Sequence, residues 1–281
     1  MTPTIARDRS RDRRIEDPTN LWIIHPLAHG LVRPAIRLGI SANVVSVMGL
    51  FLGLVAAACF YRWRETGFAT AGLVVAAAWL VADGLDGMVA RATGTASAVG
   101  RLLDGLCDHG AFVLMYLALI LSLGTAEAWA LALVAGIFHA LQSSLYEGER
   151  TRFHRRAQGI PAGAPPARAG TLLESGYDRA SNLLERAAAP FERRLAASPD
   201  PAAFGRTYAA RAALPMRFMA LLSANTRLLA IWLACVAGDP KLFWWFEIIP
   251  LSVLAIVTIL WHRRVEAALA FKDAEAPQSL S

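Results

Sequence analysis

Long apolar runs separated by short polar stretches constrain the fold of this chain more than any other feature. A helix needs about 20 predominantly apolar residues to cross the hydrocarbon core of a bilayer. Six runs of this kind cover residues 41–61, 67–90, 99–123, 127–146, 209–237 and 242–262. The sequence therefore predicts an all-α, polytopic membrane protein with six transmembrane helices.

Composition agrees with this fold class and narrows the range of functions. Of the 281 residues, 56% are hydrophobic and 18% are charged, and the mean hydropathy is +0.41, far from a soluble globular average. The net charge of +6 accompanies no nucleic-acid motif, so we expect no nucleic-acid partner. The cysteines Cys59, Cys107 and Cys235 lie far apart and lack the spacing of zinc ligands or of a disulfide framework.

The distribution of Lys and Arg predicts the orientation. An even number of spans puts both termini on one side, where most of the arginines also fall. Because positively charged connections face the cytoplasm, we expect cytoplasmic termini, and the compact chain favours a bacterial inner membrane. The predicted parts are a tail with an interfacial helix at 1–40, a six-helix transmembrane domain at 41–264 with a cytoplasmic helical insert at 148–207, and a cytoplasmic tail at 265–281.

The segment before the first span is too short and too polar to cross a bilayer. It mixes Trp22, Leu27 and Leu31 with His29 and Arg33. This pattern predicts an N-terminal helix in the headgroup layer, in contact with membrane lipids. An irregular loop is the alternative.

Four aspartates stand between the second and third runs. Asp83 and Asp86 are three residues apart and Asp104 and Asp108 are four apart, so each pair lies on one face of its helix. Desolvating several like charges together is costly unless a cation compensates them, and a divalent cation with oxygen ligands does so most simply. With interleaved glycines and Arg91 close by, the cluster is suited to a metal-bound pyrophosphate.

The spacing of this cluster is specific. The stretch reads Asp83-x-x-Asp86-Gly87-x-x-Ala90-Arg91, then eight residues, Gly100, three residues, Asp104, three residues and Asp108. This resembles the complete signature of the CDP-alcohol phosphotransferases. A looser similarity covers residues 41–46 at the start of the first span, where members of the family often carry Pro-Asn-x-x-Thr. Asn43 matches that pattern, whereas Ala42 and Ser46 depart from it.

The resemblance implies a reaction and a set of site residues. Such enzymes transfer a substituted phosphoryl group from a CDP-alcohol to an acceptor hydroxyl and release CMP. By position, Asp83, Asp86 and Asp104 would hold two divalent cations, Mg²⁺ or Mn²⁺, and Asp108 would complete the metal site and act as general base. The residues that would bind the nucleotide are Asn43, Gly87, Ala90 and Arg91.

The sequence leaves the substrates and one other function class open. We expect CDP-diacylglycerol as donor and a small polar alcohol as acceptor; the alternative is a CDP-choline or CDP-ethanolamine donor with a diacylglycerol acceptor. The resemblance also implies a homodimer, although no dimer face is identifiable. A cation-coupled transporter would explain the acids but not the spacing of Gly87, Ala90, Arg91 and Gly100.

Two features outside the signature also carry charge. Arg227 lies in the fifth run, roughly 15 Å from its far end at 1.5 Å per residue, so we expect it to face the bundle interior and support the acceptor or the site. Pairing with the aspartates and pairing with a substrate phosphate are the two uses that this position suggests, and a purely structural pair is the alternative. The basic run at 149–156 is interpreted as an anionic-lipid contact.

Overall fold

The computed structural model of the protein describes residues 12–162 and 188–271. The remaining residues, 1–11, 163–187 and 272–281, include parts of both predicted tails and of the predicted insert, and these lie outside the described residues. Within the described ranges every regular element is a helix. The elements are a π-helical turn Asn20–Ile24, α1 His25–Arg37, α2 Ala42–Tyr61, α3 Phe68–Thr93, α4 Ala98–Leu123, α5 Ala126–Ala157, α6 at 188–196, α7 Pro201–Met219, a 3₁₀ turn Ala220–Leu222, α8 Ala224–Val236, α9 Lys241–Ile248 and α10 Pro250–Phe271.

The predicted membrane fold class is confirmed. Five helical segments are long and apolar enough to cross a bilayer, and a sixth is present if Pro201–Leu222 and Ala224–Val236 form one span. The five are Ala42–Tyr61, Phe68–Thr93, Ala98–Leu123, Ala126–Ala157 and Lys241–Phe271.

Two of the predicted spans are interrupted, which the apolar pattern did not indicate. Ser223 has extended backbone angles (φ −73°, ψ 167°) and precedes α8 as its N-cap. The last run breaks at Ile249, directly before Pro250, because proline has no N–H to continue the ladder of the preceding helix. The first four predicted runs, by contrast, each correspond to one continuous helix.

The chain forms two compact units. Asp17–Ile137 and Ser223–Pro250 belong to the first unit. The second contains the described parts of Asp8–Glu16, Phe138–Leu222 and Leu251–Ser281. The boundaries predicted for the insert, 148 and 207, fall within α5 and α7.

In the first unit, α2 packs against both α3 and α4, and glycines set the distance between them. A Cβ built on Gly53 would lie 2.6 Å from the Cβ of Ala111 on α4. A Cβ on Gly49 would lie 3.5 Å from Trp79 on α3. Because Gly53 has no side chain, the methyl group of Ala111 packs directly against the backbone of α2, and the two helices approach closely at this point.

The segment before α2 is a helix, as predicted, and not the alternative loop. Its start is held within the first unit by polar contacts, in which Ser223 Oγ donates to Asp17 Oδ2 (3.2 Å) and Asn225 Nδ2 donates to Asn20 Oδ1 (2.8 Å). Further along, the side chain of Ala28 approaches Gly84 of α3, where a Cβ would lie 3.6 Å away. Helix α1 therefore packs against the part of α3 that carries the aspartates.

The second unit contains a buried network of ion pairs. Glu149 of α5 has no exposed side-chain surface and accepts hydrogen bonds from His262 Nδ1 (2.8 Å), Arg152 Nη1 (2.9 Å) and Arg263. Glu266 of α10 accepts from Arg156, which is only 1% exposed. Each carboxylate of this network therefore has cationic partners that compensate the cost of its burial.

This network corrects the interpretation of the basic run at 149–156. Arg156 is buried and also donates to Glu192 Oε1 (2.7 Å), and Arg152 is nearly buried against Glu149. A lipid contact is therefore wrong for these two arginines. The reason is that α5 continues to Ala157, which carries the basic run into the packed interior of its unit instead of ending before it.

Candidate active site

Carboxylates from two helices converge in the first unit. Asp83 lies in the second half of α3, and Asp104 and Asp108 lie in the first half of α4. Each of these three residues offers one oxygen atom, and the three oxygens lie within 4.8 Å of one another. The helical spacing of the acids thus places them at one point where α3 and α4 face each other.

The facing pairs follow an antiparallel register. Asp83 approaches Asp108 to hydrogen-bonding range, and Asp86 approaches Asp104 in the same way. One turn away from Asp83 and Asp108, the rings of Trp79 and Phe112 meet edge to face with centroids 5.4 Å apart. Both rings are buried. This aromatic pair forms an apolar floor that closes the acidic site on the side of the helix bundle.

Asp86 differs from the other three aspartates in its surroundings. It is only 4% exposed and lies outside the group of three converging oxygens. Its Oδ2 accepts a hydrogen bond from Ser46 Oγ of α2 at 2.6 Å. From the sequence, Ser46 was only a departure from the family pattern, and its contact with Asp86 was not predicted. The signal was a hydroxyl one turn inside an otherwise apolar span, where it needs a polar partner.

The residues of this site fit a divalent cation. Asp104 Oδ1 is buried and has no hydrogen-bond partner among the described residues, which is costly for a carboxylate oxygen unless a cation or proton compensates it. Three carboxylates within 4.8 Å repel one another strongly in a site of low dielectric constant. Oxygen ligands of this kind are those that Mg²⁺ and Mn²⁺ prefer. The donor set is therefore chemically suited to the predicted metal.

Most of the residues predicted to bind the nucleotide lie towards the C-terminal end of α3, and Asn43 lies at the start of α2. The guanidinium of Arg91 lies beside Gly87, since a Cβ built on that glycine would be 3.2 Å from Arg91 Nη1. Asn43 lies beside Gly100, with Oδ1 3.5 Å from the position of a built Cβ. Ala90 lies next to Arg91 on α3 and is partly buried. Their contact with a nucleotide stays a prediction.

Arg227 has a carboxylate partner in the first unit. It is 1% exposed, in line with the prediction that it faces the interior, and Nη1 donates to Oε1 of the fully buried Glu247 on α9. Glu247 was not predicted as the partner of Arg227, although a lone acid within the apolar stretch KLFWWFEI was a visible signal. The predicted support of the acceptor or the site by Arg227 stays a prediction.

A second group of ligand-type side chains lies in the other unit. Glu149, His262 and Glu266 offer atoms within 4.8 Å of one another. Arg263 donates to both of these carboxylates, and His262 Nδ1 lies 2.8 Å from Glu149. Because arginine partners already neutralise these carboxylates, this group is an ion-pair network and not a metal site.

Comparison with known families agrees with the acidic site. Residues 40–165 match the model of the family described as CDP-alcohol phosphatidyltransferase. The matched segment contains the four aspartates, Asn43, Gly87, Ala90 and Arg91, whereas Arg227 lies beyond it. No curated protein matches the chain. The match indicates a transferase of substituted phosphate groups that acts in phospholipid biosynthesis in a membrane.

Proposed function

We propose that this chain, whose residues 40–165 form a CDP-alcohol phosphatidyltransferase domain, transfers a phosphatidyl group from CDP-diacylglycerol to a small polar alcohol and releases CMP. The observation that carries the proposal is the convergence of Asp83, Asp104 and Asp108 within 4.8 Å, at the meeting point of two apolar helices. The negative charge of a diphosphate ester must be neutralised by cations, and the three aspartates are suited to hold those cations.

The four aspartates would hold the divalent cations. Asp83, Asp86 and Asp104 are the proposed ligands, and Asp108 completes the site. The bound cations would neutralise charge on the diphosphate and on the leaving CMP. Asp108 also takes the proton of the acceptor hydroxyl while the hydroxyl oxygen attacks the phosphorus of the phosphatidyl group. The bond from that phosphorus to the oxygen of CMP then breaks, and CMP leaves.

Residues beside the acids would bind the rest of the nucleotide. Gly87 has no side chain, so a phosphate can approach the backbone of α3, and Arg91 beside it offers a planar fork of donors. Asn43 and Gly100 form a second close pair at the start of α2 and α4, where the amide of Asn43 is exposed. We assign the cytidine and its ribose to this pair.

An apolar cavity supports a lipid substrate. The first unit contains a cavity of about 750 Å³, lined by side chains of α1, α2 and α3. Val45 and Leu85 line it, and each is the neighbour of a residue in the polar contact between Ser46 and Asp86. We place the acyl chains of the donor there, because a lipid diphosphate needs an apolar surface next to its charged group.

The membrane setting of the proposal rests on charge distribution. We infer from the arginine-rich connections that the acidic site and both termini face the cytoplasm. A bacterial inner membrane fits the compact chain. A water-soluble alcohol would then reach the site from the cytoplasm while the lipid donor enters from the bilayer.

The test is CMP release by the purified protein in detergent. Mg²⁺ and CDP-diacylglycerol are supplied with inositol, inositol phosphate, glycerol phosphate, serine or choline in turn. We expect release that depends on one alcohol, and a loss of kcat of roughly 10²- to 10⁴-fold in Asp108→Asn. Asp239→Asn is the matched control, since Asp239 Oδ1 accepts only a loop contact from the backbone N–H of Lys241 among its described hydrogen bonds.

Each other outcome has a distinct meaning. Near-normal turnover of Asp108→Asn would contradict the general-base role. No CMP release with any of the alcohols would contradict the proposed donor, and CDP-choline or CDP-ethanolamine would then be tested with diacylglycerol as acceptor. If CMP were not released from these donors either, cation-coupled transport would remain, and it would be tested by ion uptake into vesicles.

A further inference from the structure

Ser46 makes a buried contact that the proposed chemistry does not use. Its side chain is 6% exposed, Asp86 is 4% exposed, and the distance from Ser46 Oγ to Asp86 Oδ2 is 2.6 Å. The two residues are 40 positions apart in the chain and lie on different helices. The contact therefore joins α2 to the acidic site on α3.

The geometry decides where the hydroxyl proton goes. Ser46 Oγ also lies 3.2 Å from the carbonyl oxygen of Ala42, one turn back on its own helix. A serine hydroxyl has one proton to donate. The distance of 2.6 Å to Asp86 is within the range of a charge-assisted O–H···O⁻ bond, whereas the contact to Ala42 is long for a hydroxyl. Ser46 thus donates to the Asp86 carboxylate.

The other groups around Asp86 in the site are acidic. Asp104 approaches its carboxyl to hydrogen-bonding range, and the charge of Asp83 also acts on it. Like charges push a carboxylate away from the cluster, and rotation about the side-chain bonds of Asp86 is the simplest response. A hydrogen-bond donor on a neighbouring helix restrains that rotation. Ser46 supplies such a donor from a helix whose own position is set by its close packing against α4 at Gly53.

We propose that Ser46 is a positioning residue that holds the Asp86 carboxylate in the orientation in which it binds the divalent cation. This deepens the proposed function and rests on its assignment of Asp86 as a ligand. Partners that orient a metal ligand typically contribute roughly 10- to 100-fold to metal affinity. Threonine, which the similar family often carries at this position, keeps the hydroxyl, so its presence there is compatible with the same role.

The test compares two isosteric substitutions. Ser46→Thr keeps a hydroxyl and adds a methyl group, and Ser46→Val has the same shape without the hydroxyl, so any cost of overfilling the site is shared by both. Binding of Mn²⁺ is measured by electron paramagnetic resonance on the full-length protein in detergent without substrate. Thr258→Val is the control, because it removes another buried hydroxyl, one that donates to the backbone of its own helix α10.

We expect Ser46→Val to bind Mn²⁺ roughly 10- to 100-fold more weakly than Ser46→Thr, and Thr258→Val to match the wild type. In CMP release, the Mg²⁺ concentration for half-maximal rate should rise in Ser46→Val while kcat at saturating Mg²⁺ changes less. If the hydroxyl only stabilised the fold, Ser46→Val would have a lower melting temperature than Ser46→Thr, but the Mn²⁺ affinity and the Mg²⁺ dependence of the two variants would be the same.

The outcomes separate this proposal from the proposed function. Equal Mn²⁺ affinity of the Thr and Val variants overturns the positioning role, whatever the activity. Absence of Mn²⁺ binding by the wild type overturns it together with the metal assignment. A difference between the variants, combined with no CMP release from CDP-diacylglycerol, supports the positioning role and rejects the proposed donor.

Discussion

Replacing Gly53 by alanine tests whether the contact between α2 and α4 sets the geometry of the acidic site. The added Cβ would lie 2.6 Å from Ala111 Cβ and 3.2 Å from Ala111 Cα. Carbon atoms in van der Waals contact are about 3.5–4.0 Å apart, so the two helices must separate by about 1 Å. The backbone of α4 cannot avoid this shift by rotating a side chain, because alanine has no rotamers to change.

Two opposing terms determine the effect on stability. Alanine in a helix interior is favoured over glycine by about 1 kcal/mol, and overpacking in a well-packed core costs about 1–3 kcal/mol. Gly53→Ala should therefore lower the free energy of unfolding by up to about 2 kcal/mol. Gly136→Ala on α5 is the matched control, since a Cβ there meets no heavy atom within 4 Å. Gly136→Ala should therefore raise the free energy of unfolding by the helix preference of alanine, about 1 kcal/mol, without an overpacking cost.

Gly53→Ala should also lower the rate of CMP release, and by more than the loss of folding stability alone would explain. Ala111 lies three residues from Asp108 on α4, so a shift of α4 moves Asp104 and Asp108 relative to the acids of α3. A misplacement of about 1 Å can cost about 100-fold in rate. We would measure thermal unfolding in detergent and CMP release at saturating Mg²⁺. Gly53→Ala with the stability and turnover of Gly136→Ala would refute the argument that this contact sets the site.

Two further predictions concern charged groups outside the acidic site. Arg227→Met should lower the free energy of unfolding by about 3–5 kcal/mol, because it leaves Glu247 buried without its arginine, and the double variant with Glu247→Leu should recover most of this loss in thermal unfolding. An unchanged KM for the alcohol in the double variant would contradict the predicted support of the acceptor by Arg227. Burial raises the pKa of Glu192, but hydrogen bonds and charges from Arg155 and Arg156 outweigh it and hold the pKa below its ordinary value. A lowered folded-state pKa stabilises the protein above the unfolded-state value of about 4.3 and ceases to do so as pH falls through the folded-state value. Melting temperatures from pH 6 downward should therefore fall less steeply in Glu192→Gln than in the wild type, and parallel curves would contradict this.

The sequence predicts that the two aspartates of each pair share a helix face, because spacing along a helix is a local property. Residues three or four apart share a helix face whatever the rest of the fold does, so Asp104 and Asp108 had to point together once α4 formed. The same reasoning could not find Ser46, because its contact with Asp86 spans 40 residues and depends on how α2 packs against α3. It could not find the partner of Arg227 for the same reason.

The basic run at 149–156 shows where local reasoning failed. The fourth apolar run ends near residue 146, so the predicted span ended there, whereas helix α5 continues to Ala157. The arginines then meet acids far along the chain, such as Glu266, which is 110 residues from Arg156. A charged segment next to a span looks alike in sequence whether it faces lipid headgroups or packs inside the protein, because hydropathy carries no information about distant partners.

The sequence by itself determined that this chain crosses a membrane as helices and that the four aspartates of the signature form two pairs, each on one face of a helix. Both results follow from the length of apolar runs and from helical periodicity, which act over a few turns. Only the tertiary structure decided that Ser46 holds Asp86, that Glu247 accepts from Arg227 and that the last two spans break at Ser223 and before Pro250. These features depend on packing between distant segments, where burial makes each polar group take the partner that the fold brings to it.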